Sequence, residues 1–450
     1  MSSTQIAKFG GTSMADAEAI RACVKLIESQ AAATLVVVSA CAGVTNRLVM
    51  LSQSRAQVER QRLGDEIIQK HNRIAEQLSA DSVAIQKLQT LHQQLQQLVL
   101  SELPQSSLMQ ERRRDAILSF GERCASELFA ACWRQYQPGA LAIDATELLK
   151  TDNCHGNANP ELAATRHCCQ YLQDKLSQGA KLVTQGFIGS DETGQLTTLG
   201  RGGSDYSAAI FAAALNAEQL NIWTDVAGIY TTDPRICADA RPLPEISFAE
   251  AAELATFGAK VLHPKSLKPA IENSIPVFVG HSRYPERGGS LVVAEPQSRP
   301  SIRALACRRN QTLLTVSSVD MLHATGFLAR LFDILARYTI SVDLVTTSEV
   351  SIALTLDEAG CQANGQSLLP EAMLDELRQF AVVEIEQGLA LIAVIGNDIG
   401  HSGDISPHVL QAASPNPVRL ICQGASRHNL CFLVADEGAD QIIRNLHTKL

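Results

Sequence analysis

Short apolar runs and amphipathic stretches alternate from the start of the chain. Residues 5–9 run into Gly10-Gly11-Thr12-Ser13, the spacing over 16–28 predicts an amphipathic helix, and Leu35-Val36-Val37-Val38 is short, β-branched and unalternating. A run of that last kind marks a strand buried on both faces of a parallel sheet. The chain therefore opens as a βαβ unit, a fold in which ligands bind at the carboxyl ends of strands. From about 52 to 130 the pattern turns polar and rich in glutamine and leucine. There Leu88, Leu91, Leu95 and Leu98 keep helical spacing, which predicts one core stripe of a helical insert. Strand-like runs resume at 141–144, 181–187, 222–226 and 276–280.

Residues 284–300, dominated by Pro, Arg, Gly and Ser, predict a domain boundary. Beyond it the elements shorten and repeat. A strand over 312–318, a helix over 327–338, paired strands at 341–347 and 351–357, a helix over 369–380 and a strand over 382–386 make one cycle. A second occupies 390–397, 407–413, 418–424, 429–435 and 440–449. The expected organisation is an α/β catalytic region at 1–290, then two α+β modules of βαββαβ pattern at 301–388 and 389–450.

Composition narrows the function. A 450-residue chain is long enough for two or three domains, each with its own core. A net charge of −9 argues against nucleic-acid or membrane-surface partners, which need a clustered basic footprint. No apolar run approaches the roughly 20 residues of a membrane helix. MSSTQ passes directly into IAKFGG, so no signal or transit peptide is expected and the expected location is cytoplasmic. The twelve cysteines are scattered, with only Cys154 and the Cys168–Cys169 pair near histidines and no CxxC spacing, so no metal site is expected.

Four segments carry the chemistry: KFGGTS at 8–13, GRGGSDYS at 200–207, WTDVAGIYTTDPR at 223–235 and FGAKVLHP at 257–264. Glycines beside a lysine or arginine supply close backbone approach, N–H donors and a cation, which together suit phosphate. Lys8 ends the first strand beside Gly10 and Gly11, where its ammonium can offset charge on a transferring phosphoryl group. The alternative is a surface lysine before a tight turn. GxxxxGK[ST] is absent, so this is not a P-loop. Arg201 offers a fork for a carboxylate or phosphate, while Ser204 and Asp205 precede a helical run; Asp205 can equally be a cap. Thr224, Asp225, Tyr230 and Arg235 suit a base, ribose and phosphate, or simply a polar turn. Lys260 adds a second cation. Ser39 and Thr45 in SACAGVTN, with Glu122 in SFGER, are candidates for the acceptor site: a carboxylate such as Glu122 pairs with an amine as Arg201 pairs with a carboxylate, so the acceptor reads as an amino acid.

These segments, with TQGFIG and IPVFV and in this order, resemble the aspartate kinases of the amino acid kinase family. The tail resembles the paired ACT modules of their lysine-sensitive monofunctional members through RRNQTLLTVSSVDMLHATGFLARLF, SVDLVTTSEVSIALTLD and GASRHNLCFLV. The resemblance implies a three-layer kinase sandwich with a helical insert. The implied reaction is ATP-dependent phosphorylation of the side chain of L-aspartate to 4-phospho-L-aspartate, the start of lysine, threonine and methionine synthesis. It further implies Lys8 and Asp205 as the catalytic pair, and a nucleotide site of Lys8, Gly10, Gly11, Thr224, Asp225, Tyr230, Arg235 and Lys260. The aspartate site would hold Ser39, Thr45, Glu122, Arg201 and Ser204, with Mg²⁺ carried on the ATP rather than held by protein ligands. Met321, Gly326, Phe327, Ser341, Val342, Asp343, Ser348 and Glu349 match lysine-site positions, so L-lysine is the implied effector. ACT modules pair between chains, which implies a homodimer and leaves a tetramer open. No dinucleotide motif for a fused homoserine dehydrogenase is found, so one activity is expected. Two rivals remain: a ligand-binding sensor that transfers nothing, and a kinase of another small carboxylate such as glutamate.

Overall fold

The computed structural model describes residues 4–30, 32–258, 262, 264–322, 325–357, 368–399, 403 and 405–450. They form two compact units: Met1–Ile229, Pro242–Ala251 and Val261–Gln297 in one, and Tyr230–Arg241, Ala252–Lys260 and Ser298–Leu450 in the other.

In the first unit β1 (Thr4–Phe9), α1 (Ala17–Glu28) and β2 (Ala33–Val38) make the expected opening βαβ. Asp16 starts α1 by accepting the Ala19 N–H at 2.8 Å. The helical insert is α2 (Val44–Gln53), α3 (Gln57–Leu78), α4 (Ser82–Leu100) and α5 (Ser107–Arg134). Then come β3 (Leu141–Ile143), α6 (Ala145–Leu148), α7 (Leu162–Ser177), β4 (Leu182–Gln185), the hairpin β5 (Ile188–Ser190) and β6 (Leu196–Thr198), α8 (Gly203–Ala214) and β7 (Gln219–Thr224). The main-sheet strands that remain are β8 (Glu245–Ser247), β9 (Val277–His281) and β10 (Gly289–Val293). The sheet order is β3-β4-β2-β1-β7-β9-β10-β8, parallel from β3 to β9, with β10 antiparallel to β9.

The pleat of β1 fixes which way its lysine points. Ala7 and Phe9 pack into the core that contains Val24 of α1 and Phe129 of α5, with the Phe9 and Phe129 rings 5.7 Å apart. Strict alternation therefore sends Lys8 to the other face, where α8 lies. In the insert Leu88, Leu91 and Leu95 are buried as expected, whereas Leu98 is only half-buried and Val99 takes the core position.

The second unit holds one six-stranded antiparallel sheet, made of β11 (Ala304–Ser317), β12 (Val342–Thr347), β13 (Ser351–Asp357), β14 (Val382–Ile395), β15 (Leu420–Gln423) and β16 (Asn429–Ala435) in the order β12-β13-β11-β14-β16-β15. The expected 341–347/351–357 hairpin is present. The expected strands 382–386 and 390–397 are, by contrast, one continuous strand, and 312–318 is the second half of a longer one. Gly388, at φ 72°, sits where the β11–β14 register shifts, so the ladder passes through an irregularity instead of ending. Two cores lie along this sheet. Leu314, Val316, Leu331, Leu354 and Leu377 form one; Leu305, Ile392, Val394, Val409, Phe432 and Ile442 form the other. Among the described residues no helix is long and apolar enough to cross a membrane.

Candidate functional site

At the centre of the main sheet β1 lies between β2 and β7, and the segments leaving the carboxyl ends of all three come together. Lys8 emerges there. Its ammonium lies 2.6 Å from Oδ1 of Asp205 in the first turn of α8, with side chains only 10% and 18% exposed. Gly202, at φ 73°, begins that helix with no side-chain cap, so the amide end of α8 is left for an anion. The glycines lock this region together. A Cβ on Gly186 would lie 2.7 Å from the Ser204 Cβ, and one on Gly203 would lie 2.6 Å from the Phe187 ring, so TQGFIG and GRGGSDYS interdigitate. One expectation changes. The Gly10 N–H donates to Trp223 O at 3.2 Å, tying β1 to β7, so this amide is already committed within the sheet and does not point free toward a phosphate.

Glu122 is the most unusual group at this end of the sheet. It sits in the middle of α5, 4% exposed, and its Oε1 accepts the Ala40 N–H at 3.1 Å while Oε2 is buried without a hydrogen-bond partner. Gly121 allows this, since a Cβ there would lie 2.6 Å from the Ala40 Cβ and would push α5 off the loop after β2. Burial raises the Glu122 carboxyl to about 8, against the opposing pull of the Ala40 N–H and the Lys8 charge. The result is a buried acceptor with one open oxygen, within the electrostatic reach of Lys8. Ser39 is half-buried, its N–H held by Phe9 O at 3.0 Å, whereas Thr45 in the first turn of α2 and Arg201 in the turn before α8 are exposed.

The nucleotide candidates divide. Thr224 ends β7 and donates to the exposed Asp225 at 3.1 Å. Tyr230 and Arg235 belong by packing to the second unit. Arg235 is 85% exposed and pairs with Asp233 at 2.6 Å, so the guanidinium expected to meet phosphate is held by a carboxylate in its own turn. Lys260 lies outside the described residues. Sequence reasoning missed Asp115, a fully buried α5 carboxylate that accepts from Thr198 Oγ1 at 2.6 Å and from the Gly156 N–H at 3.1 Å, and that meets His155 Nδ1 at 2.9 Å. Its RRRD setting reads as solvated charge, and only the three-dimensional placement reveals the anchor for the 152–159 loop.

In the second unit the lysine-site candidates share one half. Asp343 on β12 pairs with Arg308 of β11 at 2.6 Å, and Arg308 also donates to Thr256 O. The acid expected to hold an effector amine thus already has an internal cation. Glu349 is exposed in the β12–β13 turn, where Ser348 Oγ accepts the Ser351 N–H at 3.1 Å. Gly326, at φ 87°, caps the helix Phe327–Arg337, and Phe327 meets the Phe380 ring edge-on at 5.3 Å. Met321 ends a short 3₁₀ turn, and Ser341 and Val342 lead into β12.

A family model described as the amino acid kinase family matches residues 3–281, well over half of the chain. Lysine-sensitive aspartokinase 3 of Escherichia coli K12 is 46% identical over 451 residues, with 100% of both chains covered. The chain belongs to the aspartokinases of the amino acid kinase family. Chloroplastic aspartokinase 1 of Arabidopsis thaliana is 35% identical, covering 99% of this aspartokinase-family chain and 79% of its own length. Among solved structures, E. coli aspartokinase III in complex with aspartate and ADP (R-state) matches with a TM-score of 0.86 and 46% identity. The same enzyme with lysine and aspartate (T-state) matches at 0.88 and 45%, each pair covered to 99%. Both the resemblance read from the motifs and the α/β sandwich followed by antiparallel regulatory modules agree with these matches.

Proposed function

We propose that this chain is an aspartate kinase that transfers the ATP γ-phosphoryl group to the side-chain carboxylate of L-aspartate, giving 4-phospho-L-aspartate, under feedback inhibition by L-lysine. One observation carries the reading: the unpartnered Glu122 Oε2, buried within the field of Lys8 beside the Lys8–Asp205 pair. An α-ammonium group satisfies that oxygen, and Arg201 and Ser204 are within the same segment to receive the α-carboxylate. The acceptor carboxylate is ionised near neutral pH and needs no strong base, so positioning and charge neutralisation do the chemistry. Lys8 steadies the phosphoryl oxygens, and Asp205 orients that lysine. Gly10, Gly11, Thr224, Asp225, Tyr230, Arg235 and Lys260 make up the proposed nucleotide side, and Ser39 and Thr45 the rest of the aspartate side. Bound with the nucleotide, Mg²⁺ would supply charge neutralisation to the phosphates. Met321, Gly326, Phe327, Ser341, Val342, Asp343, Ser348 and Glu349 form the proposed lysine site.

The proposed catalytic domain is 1–290 and the proposed ACT modules are 301–388 and 389–450, the second sharing residues 304–308 of β11. A cytoplasmic homodimer joined through the ACT modules completes the proposal, with a tetramer as the alternative assembly. A hydroxamate assay with ATP, Mg²⁺ and aspartate, glutamate or acetylglutamate, with and without lysine, tests it. Turnover of aspartate alone, reduced by lysine, is expected; preference for glutamate, or no turnover, overturns it.

A further inference from the structure

The helical insert contains a second cluster of chemistry that the kinase reading does not use. His71 on α3, His92 on α4 and Cys124 on α5 converge in its core, and their nearest ligand atoms all lie within 4.8 Å of one another. All three are buried, at 0%, 7% and 1% exposure. Neither nitrogen of His71 has a hydrogen-bond partner, nor does Nε2 of His92. Buried imidazole nitrogens are normally satisfied, and three orphans converging on a thiol need an explanation. The two rings have centroids 5.8 Å apart and planes within 5° of parallel.

We propose that His71, His92 and Cys124 form a binding site for a zinc-class divalent transition metal that clips α3, α4 and α5 together. Two imidazoles and one thiolate are the borderline-soft donor set that such ions select, and three protein ligands leave one position for water. Zinc, at ~2.0–2.1 Å from imidazole nitrogen and ~2.3 Å from sulfur, would need the donors, now no more than 4.8 Å apart, to close by roughly 1 Å at most, a small adjustment for side chains on three helices. His92 also lines a surface groove of about 830 Å³ with Ala75, Leu88 and Gln89. Neutral imidazoles are the form a metal needs, and binding expels the thiol proton to solvent.

The test is titration of the reduced, metal-stripped full chain with Co²⁺, followed by displacement with Zn²⁺. One equivalent is expected to give a thiolate-to-cobalt charge-transfer band with tetrahedral d–d bands, and zinc is expected to abolish both. Cys124→Ser should lose the charge-transfer band, and His71→Gln should weaken binding at least tenfold. Zn²⁺ should also raise the melting temperature of the parent and not that of Cys124→Ser. Circular dichroism confirms that each variant is folded, and Cys168→Ser serves as a variant outside the cluster. No cobalt bands in the parent, or bands that persist in folded Cys124→Ser, overturn the site.

Discussion

Replacing Glu122 with glutamine isolates one buried carboxylate, because the isostere keeps an oxygen for the Ala40 N–H and removes only the charge. In the folded chain this carboxyl is raised from its ordinary 4.5 to about 8, chiefly by desolvation. The folded state therefore holds a proton that the unfolded state has released, and stability falls as pH rises from about 4.5 to about 8, then levels off. At ~1.36 kcal/mol per pH unit the full span is worth on the order of 5 kcal/mol. Solvent relaxation makes that a ceiling. The interval from pH 5 to pH 8 covers ~4 kcal/mol of that span, so at ~2 °C of melting temperature per kcal/mol the gap between Glu122→Gln and the parent should widen by up to ~8 °C in favour of the variant. Scanning fluorimetry with EDTA present, so that metal at Cys124 does not contribute, reads this directly. The same proton appears in catalysis: an arriving ammonium group stabilises the ionised form, so the parent KM for aspartate should rise as pH drops below about 8, approaching tenfold per pH unit. Glu122→Gln should bind aspartate weakly with a flat profile. Parallel melting curves for parent and variant from pH 5 to 9 would refute the reasoning, because the carboxylate would then be no more costly folded than unfolded.

Lys8→Met and Asp205→Asn should each lower kcat by about 100-fold or more while leaving the melting temperature near the parent value; near-normal turnover in either removes the pair from the chemistry. Arg201→Ala should raise the aspartate KM at least tenfold with a smaller change in the ATP KM, and an unchanged aspartate titration takes Arg201 out of the substrate site. Asp343→Ala should relieve lysine inhibition without lowering the uninhibited rate. Arg308→Ala, which removes the internal competitor for that carboxylate, should strengthen inhibition, and overlaid lysine curves for both variants would place the effector elsewhere.

Where backbone geometry and hydrophobic pattern decide, the sequence was informative. The unalternating run 35–38 is a central strand, and KFGGTS, TQGFIG and GRGGSDYS meet beside Lys8 and Asp205. The missed features depend on contacts between distant segments. Nothing local in SFGER says that Glu122 will be sealed under Ala40, because that requires Gly121 to press against a loop from β2. The type and turn of Arg235 were legible, whereas its pairing with Asp233 is a matter of rotamer. Cysteine spacing along the chain says nothing of Cys124, whose histidine neighbours come from two other helices. The expected strands 382–386 and 390–397 are one for the same reason: a neighbouring strand holds the ladder together on both sides of Gly388.

The two 14-residue strands of the regulatory sheet limit how this half of the protein can be cut and recombined. β11 and β14 lie side by side, each contributing one end to one core and the other end to the second. A deletion that removes residues 389–450 would strip residues 304–308 of their partner and leave a raw strand edge, a template for pairing between molecules. Gene-level shuffling that treats the halves as interchangeable cassettes should therefore yield aggregates, while exchanges confined to loops that leave both strands whole, such as the β12–β13 turn, should leave soluble proteins with altered effector response.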